Sequence, residues 1–165
     1  MKSIFFSLFF LPFIIFAQNS NQKIIYLDSI WKETTEGNHK YYRIIESYDS
    51  QKELYKIKDY YKSGILQMEG HSKTIDGSKK EGEHVFYYEN GNKQSKVNYN
   101  KSIKTGKETI WYENGNRKME VEYFEFKKDS PTNFKLNEYW NPNGEELVIN
   151  GNGFFDDKGE GYSDS

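Results

Sequence analysis

At 165 residues, with 14 Tyr, 12 Phe, 3 Trp and no Cys, the chain has the size of about one domain and no thiol or disulfide chemistry open to it. Its 23 Lys and Arg against 25 Asp and Glu leave a formal charge of −2, which argues against nucleic acid as a partner. Aromatic side chains suit a pleated surface, and the scarcity of Ala and Leu argues against a helical bundle.

Residues 1–17 read as a secretory signal peptide. Lys2 gives the positive start, Ile4 to Phe16 is an apolar run broken only by Ser7 and Pro12, and Ala17 offers a small residue before the cut. The run is shorter than the roughly 20 apolar residues that span a bilayer, so no integral membrane segment is expected after cleavage; an uncleaved anchor is the alternative. The implied location is exported: periplasm, outer envelope or secreted. Residues 18–52 read as an N-terminal capping segment. Within it Lys23 to Leu27 is a candidate strand, and Asp28 to His39, with Trp31 and Glu36-Gly37-Asn38, is open between a short helix and an irregular loop. Lys40 to Tyr48 and Glu53 to Tyr61 form an expected hairpin through Asp49-Ser50-Gln51-Lys52.

Residues 53–155 form the expected hairpin repeat domain. Gly82 to Tyr99 and Gly106 to Tyr123 repeat each other at an offset of 24: Gly82 meets Gly106, Tyr88 meets Tyr112, Gly91 meets Gly115 and Val97 meets Val121. A fixed period of this length marks a repeat array. The turn Tyr-x-x-Gly occurs at Tyr61 to Gly64, Tyr88 to Gly91 and Tyr112 to Gly115, and Trp140 to Gly144 is a fourth copy one residue longer. Asn90-Gly91 and Asn114-Gly115 predict two-residue type I′ reversals, which need positive φ at both positions. On the returning arm Met119, Val121 and Tyr123 share one face while Lys118, Glu120 and Glu122 share the other, a half-buried strand with a wet side. The starting glycines Gly82 and Gly106 either leave a gap for a neighbouring aromatic ring or merely end loops; Phe134 occupies that place in the fourth copy. The insertions His71 to Glu81 and Glu125 to Asn133 are expected to be exposed loops. Asn150 to Phe155 resembles the opening arm of a fifth repeat, and residues 156–165 read as a polar C-terminal tail. The expected fold is all-β, an array of antiparallel β-hairpins forming an elongated twisted sheet. Its structural residues are Gly64, Gly82, Tyr88, Gly91, Gly106, Tyr112, Gly115 and Gly144.

At Gly82…Tyr88…Gly91 and Gly106…Tyr112…Gly115 the chain resembles the bacterial MORN-repeat variant family, often labelled YwqK-type antitoxin-like. The stretch Tyr41-Tyr-Arg43 through Gly70 resembles the leading part of exported members from Bacteroidota. The likeness covers roughly Tyr41 to Gly153. It implies MORN-like hairpin repeats; it does not carry a function with it.

No phosphate loop, His-Glu-x-x-His, Gly-x-Ser-x-Gly or dinucleotide fingerprint is present. His39, His71 and His84 are far apart and read as surface or edge residues rather than ligands. Asp156-Asp157 with Glu160 lacks the spacing of an EF-hand loop. Glu120 and Glu122 lie about 7 Å apart on one strand face, a separation that glycosidases use, but solvated strand faces produce such pairs routinely. Lys93, Lys96, Arg117 and Lys118 make a basic stripe interleaved with Glu, better read as a solvated face. The expected function is therefore non-catalytic, with no cofactor and no metal: an exported repeat module holding a protein partner in the cell envelope. The alternatives are an antitoxin-like or immunity protein that blocks an exported toxin, or a polysaccharide-acting envelope protein.

Overall fold

Alternating segments separated by Gly and Asn turns have one economical arrangement, in which each strand pairs with the next along the chain. The computed structural model, which describes residues 23–124 and 134–153, has this arrangement. Its strands are β1 (Lys23–Leu27), β2 (Tyr41–Asp49), β3 (Leu54–Tyr61), β4 (Leu66–Ser72), β5 (Lys80–Tyr87) and β6 (Lys93–Asn100). They continue as β7 (Ile103–Trp111), β8 (Arg117–Tyr123), β9 (Phe134–Trp140), β10 (Glu146–Ile149) and β11 (Asn152–Gly153). All eleven form one antiparallel sheet in sequence order, so the expected all-β hairpin array is the observed fold. The leader, the second insertion at 125–133 and the tail at 156–165 lie outside the described residues, as does the Asp156, Asp157 and Glu160 cluster.

The stretch left open between strands one and two is an irregular loop with one 3-10 turn at Glu36–Asn38. Asp28 Oδ1 accepts from the amides of Ile30 and Lys32 at 2.9 and 3.0 Å, which folds Trp31 back onto Tyr41 at 4.3 Å between stacked rings. β1 and β2 continue the same sheet as the repeats, with β2 paired to β3 from Tyr41↔Tyr61 to Asp49↔Leu54.

One face of the sheet holds the core: Ile25, Leu27, Ile57, Met68, Val97, Val121 and Val148 are buried there. The same face carries Arg43, Asp59, Ser72, His84 and Glu108, also buried. Neighbouring strands lie about 4.8 Å apart, so in a flat sheet β1 and β5 would stand roughly 19 Å from each other. Yet Ile25 and Leu27 of β1 and Lys80 and Phe86 of β5 line one cavity of about 460 Å³. The sheet therefore coils, as twisted sheets do, and brings the inner faces of these strands toward one another.

Four turn readings change in the structure. Asn90-Gly91 and Asn114-Gly115 are not type I′: only the glycines have positive φ, 87° and 90°. The Gly91 amide donates to the Tyr88 carbonyl and the Tyr88 amide to the Asn92 carbonyl, both at 2.9 Å. That is a three-residue loop, a type I turn closed by a left-handed glycine. The fourth turn has the same length as the others, because Asn141 and not Trp140 takes the tyrosine's place: Gly144 N donates to Asn141 O and Asn141 N to Glu145 O, both at 2.9 Å. Two-residue reversals with positive φ at both positions occur instead at Lys101-Ser102 (50° and 67°) and at Asn150-Gly151 (53° and 78°). Lastly, Asn150-Gly151 is thus a turn, and of the described part of the expected fifth arm Asn152–Gly153 pairs back, onto β10.

Candidate functional site: the turn edge and the outer face

The four glycine turns line one edge of the sheet, and side chains of the first three reach forward to the next. Tyr61 donates its hydroxyl to the carbonyl of Tyr87, Tyr88 to that of Trp111, and Tyr112 to that of Trp140, each at 2.8 Å. Asn90 and Asn92 both donate to the Glu113 carbonyl at 2.8 Å, and Asn114 and Asn116 to the Pro142 carbonyl at 3.0 and 2.9 Å. Ser63 replaces the first asparagine and donates to the Glu89 carboxylate at 2.8 Å. Of the expected structural residues, Gly64, Tyr88, Gly91, Tyr112, Gly115 and Gly144 are gathered on this edge. Gly82 and Gly106 lie at the far ends of their arms, opposite Tyr99 and Tyr123. A Cβ built on either would meet nothing within 4 Å, so no aromatic ring covers them; they are glycine because φ is +70° and +64°. The covered gap is at Gly70, where a Cβ would lie 2.4 Å from the His84 ring.

The face away from the core carries a transverse row of side chains. Cross-strand partners share a face, and the pairs Tyr60↔Leu66, Tyr87↔Lys93, Trp111↔Arg117 and Trp140↔Glu146 recur at the same place in each hairpin. Contacts join the pairs: Lys93 Nζ stands 5.9 Å from the Trp111 ring and Arg117 5.8 Å from the Trp140 ring, while Tyr42 and Tyr60 stack at 5.1 Å. Such cation–aromatic contacts are worth about 0.5–1 kcal/mol on an exposed surface. The surrounding charges are mostly paired: Lys56 and Lys58 with Glu46, Lys96 with Glu83, and Lys107 and Arg117 with Glu120. Lys58 and Lys56 hold the Glu46 carboxyl below its usual range. Burial, helped by its 2.7 Å bond to Glu69, pushes the Tyr87 phenol up to about 12.

Two expected solvent groups prove buried. Glu120 is 7 % exposed and neutralised by Lys107 and Arg117, so it does not pair with exposed Glu122 as two free carboxylates. His84 is fully buried, its ring lying against Gly70 and edge-on to Tyr99 at 5.0 Å, and burial pushes its pKa down to about 4. Neither the buried pair Arg43–Asp59 nor the buried Glu108 is apparent from the sequence: the 24-residue offset lays Lys80 on Lys104 and His84 on Glu108 but does not mark these positions as buried. Arg43 Nε and Nη2 donate to the two Asp59 oxygens at 2.6 and 2.7 Å, and Nη1 donates to the Asp76 carbonyl. The first insertion is thereby tied down, and the expected exposed loop is shorter than His71 to Glu81: its ends belong to β4 and β5, Ser72 is buried, and within the loop Gly77 is buried against Arg43.

Among the described residues no group of three or more His, Asp or Glu is placed to hold a metal, and no helix is long and apolar enough to cross a membrane. No family model matches the chain, and neither curated proteins nor solved structures provide a match.

Proposed function

We propose that this chain is an exported, non-catalytic repeat module that holds a protein partner in the cell envelope through its outer face. The carrying observation is the row Tyr60, Tyr87, Lys93, Trp111, Arg117 and Trp140, presented at one level by successive hairpins. Aromatic and arginine side chains on a rigid support are the residue types that dominate protein interfaces. The alternating charges around the row are mutually compensated, which suits a mixed-charge protein surface better than a polyanion. The leader-like start at 1–17 and the resemblance to exported MORN-type repeats support the same reading. The experiment is mild crosslinking in envelope fractions followed by recovery of the tagged chain. A specific partner whose capture falls with Trp111→Ala and Arg117→Ala is the expected result; recovery of the chain alone overturns it.

A further inference from the structure

The inner face contains one cassette in two copies. In the second copy Lys104 Nζ donates to both oxygens of Glu108 at 2.8 Å, Tyr123 donates its hydroxyl to Glu108 at 2.7 Å, and the lysine lies over the Tyr123 ring at 5.4 Å. In the first copy, 24 residues earlier, Lys80 lies over the rings of Phe86 and Tyr99 at 5.2 and 5.1 Å, but His84 replaces the glutamate. Lys80 makes no ion pair among the described residues. The nearest carboxylate to attract it is Asp59, whose two oxygens are both bonded to Arg43, so among the described residues none is seated on Lys80 as Glu108 is on Lys104.

That lysine lines the cavity of about 460 Å³, within the size range of small-molecule sites. Leu27, Trp31, Met68 and Phe86 give the cavity apolar walls. The other charges on its lining are engaged or peripheral. Asp59 is taken by both arms of Arg43, Asp76 accepts from the Ser78 amide at 3.0 Å, and Glu33 stands on the exposed rim. Gln67 Oε1, also on the lining, is buried without a hydrogen-bond partner. A ligand that fits must therefore bring an acceptor anion for Lys80, an apolar body for the walls and little charge elsewhere.

We propose that this cavity binds a small organic acid with an apolar body, its carboxylate seated on Lys80 as Glu108 is seated on Lys104. Burial already lowers the proton affinity of Lys80, and a bound carboxylate restores the charge balance its repeat counterpart has internally.

The test is calorimetric titration of the full chain with octanoate, and with octanol as a probe of the same apolar body and no charge. Octanoate is expected to bind roughly tenfold or more tighter than octanol, the size of a charge-assisted hydrogen bond in a partly buried site. Lys80→Gln should bring octanoate down to the level of octanol and leave octanol unchanged. His84→Glu, which rebuilds the second cassette in the first, should exclude octanoate while the circular dichroism stays that of the parent. Equal binding of octanoate and octanol by the parent chain, or no binding of octanoate at all, overturns the proposal without any variant having to fold. Undiminished octanoate affinity in a folded Lys80→Gln chain overturns it as well.

Discussion

Removing Asp59 tests what the buried ion pair does for the fold. Asp59→Ala strands the Arg43 guanidinium, whose side chain is 10 % exposed and whose remaining hydrogen-bond partner among the described residues is the Asp76 carbonyl. Breaking a buried pair from one side costs about 3–5 kcal/mol, because the surviving charge keeps its desolvation and loses its counter-charge. Domains of this size are stable by about 5–15 kcal/mol, so the variant should lose at least about a fifth of its stability. Replacing both partners, Arg43→Met with Asp59→Leu, removes the stranded charge and should cost no more than about 1–2 kcal/mol, a coupling that a double-mutant cycle measures directly. The assay is urea unfolding followed by far-ultraviolet circular dichroism, with free energies extrapolated linearly to water. A loss under about 1 kcal/mol for Asp59→Ala, or a double variant that loses the sum of the two singles, would refute the reasoning.

His84 has a pKa of about 4 in the folded chain, below the usual value near 6.5, so its contribution is complete above 6.5 and fades as pH falls toward 4. Over that window the unfolded chain takes up a proton that the folded one refuses, a loss of roughly 3 kcal/mol; a His84→Phe variant should show a flatter dependence, and an unchanged slope would count against burial as the cause. Gly106→Ala should cost about 1–2 kcal/mol and Gly106→Asn less, since the site is open but left-handed. Gly70→Ala, by contrast, fails for want of space and should be partly rescued by His84→Ala, which removes the ring it strikes. Tyr112→Phe deletes two hydrogen bonds, to the Trp140 carbonyl at 2.8 Å and to the Tyr139 hydroxyl at 3.3 Å, and should cost about 1–3 kcal/mol in chemical denaturation, with no change in the spectrum of the folded state.

The hairpins were legible because Tyr-x-x-Gly and the alternating arms are local signals with local causes. Turn type was less so. Asn90 reads as half of a type I′ pair, but its side chain is spent on the Asn92 amide at 2.9 Å and the Glu113 carbonyl at 2.8 Å, which favours the longer loop with one left-handed glycine. The reverse holds at Lys101-Ser102, where neither residue favours positive φ. There Ser102 N donates to Lys80 O, Lys80 N donates to Ser102 Oγ, and Lys101 N donates to Glu81, so the neighbouring hairpin supports a conformation that composition does not advertise. The polar core was hidden for a related reason. Lys80, His84 and Glu108 sit in strands whose pattern gives no sign that the sheet coils, and only coiling turns a charged position into a buried one. Glu120 is the same case on the other face, buried under Lys107 and Arg117 rather than by its own hydrophobicity.

Strict neighbour-to-neighbour pairing has a consequence for how the molecule comes into being. No strand waits for a distant partner, so loop closure is short at every step and the contact order is low for a sheet protein. Because the tyrosine and asparagine links all point toward the later turn, each new hairpin docks on one already made and locks it. Assembly can thus keep pace with a chain emerging amino end first, each turn being locked by the hairpin made after it.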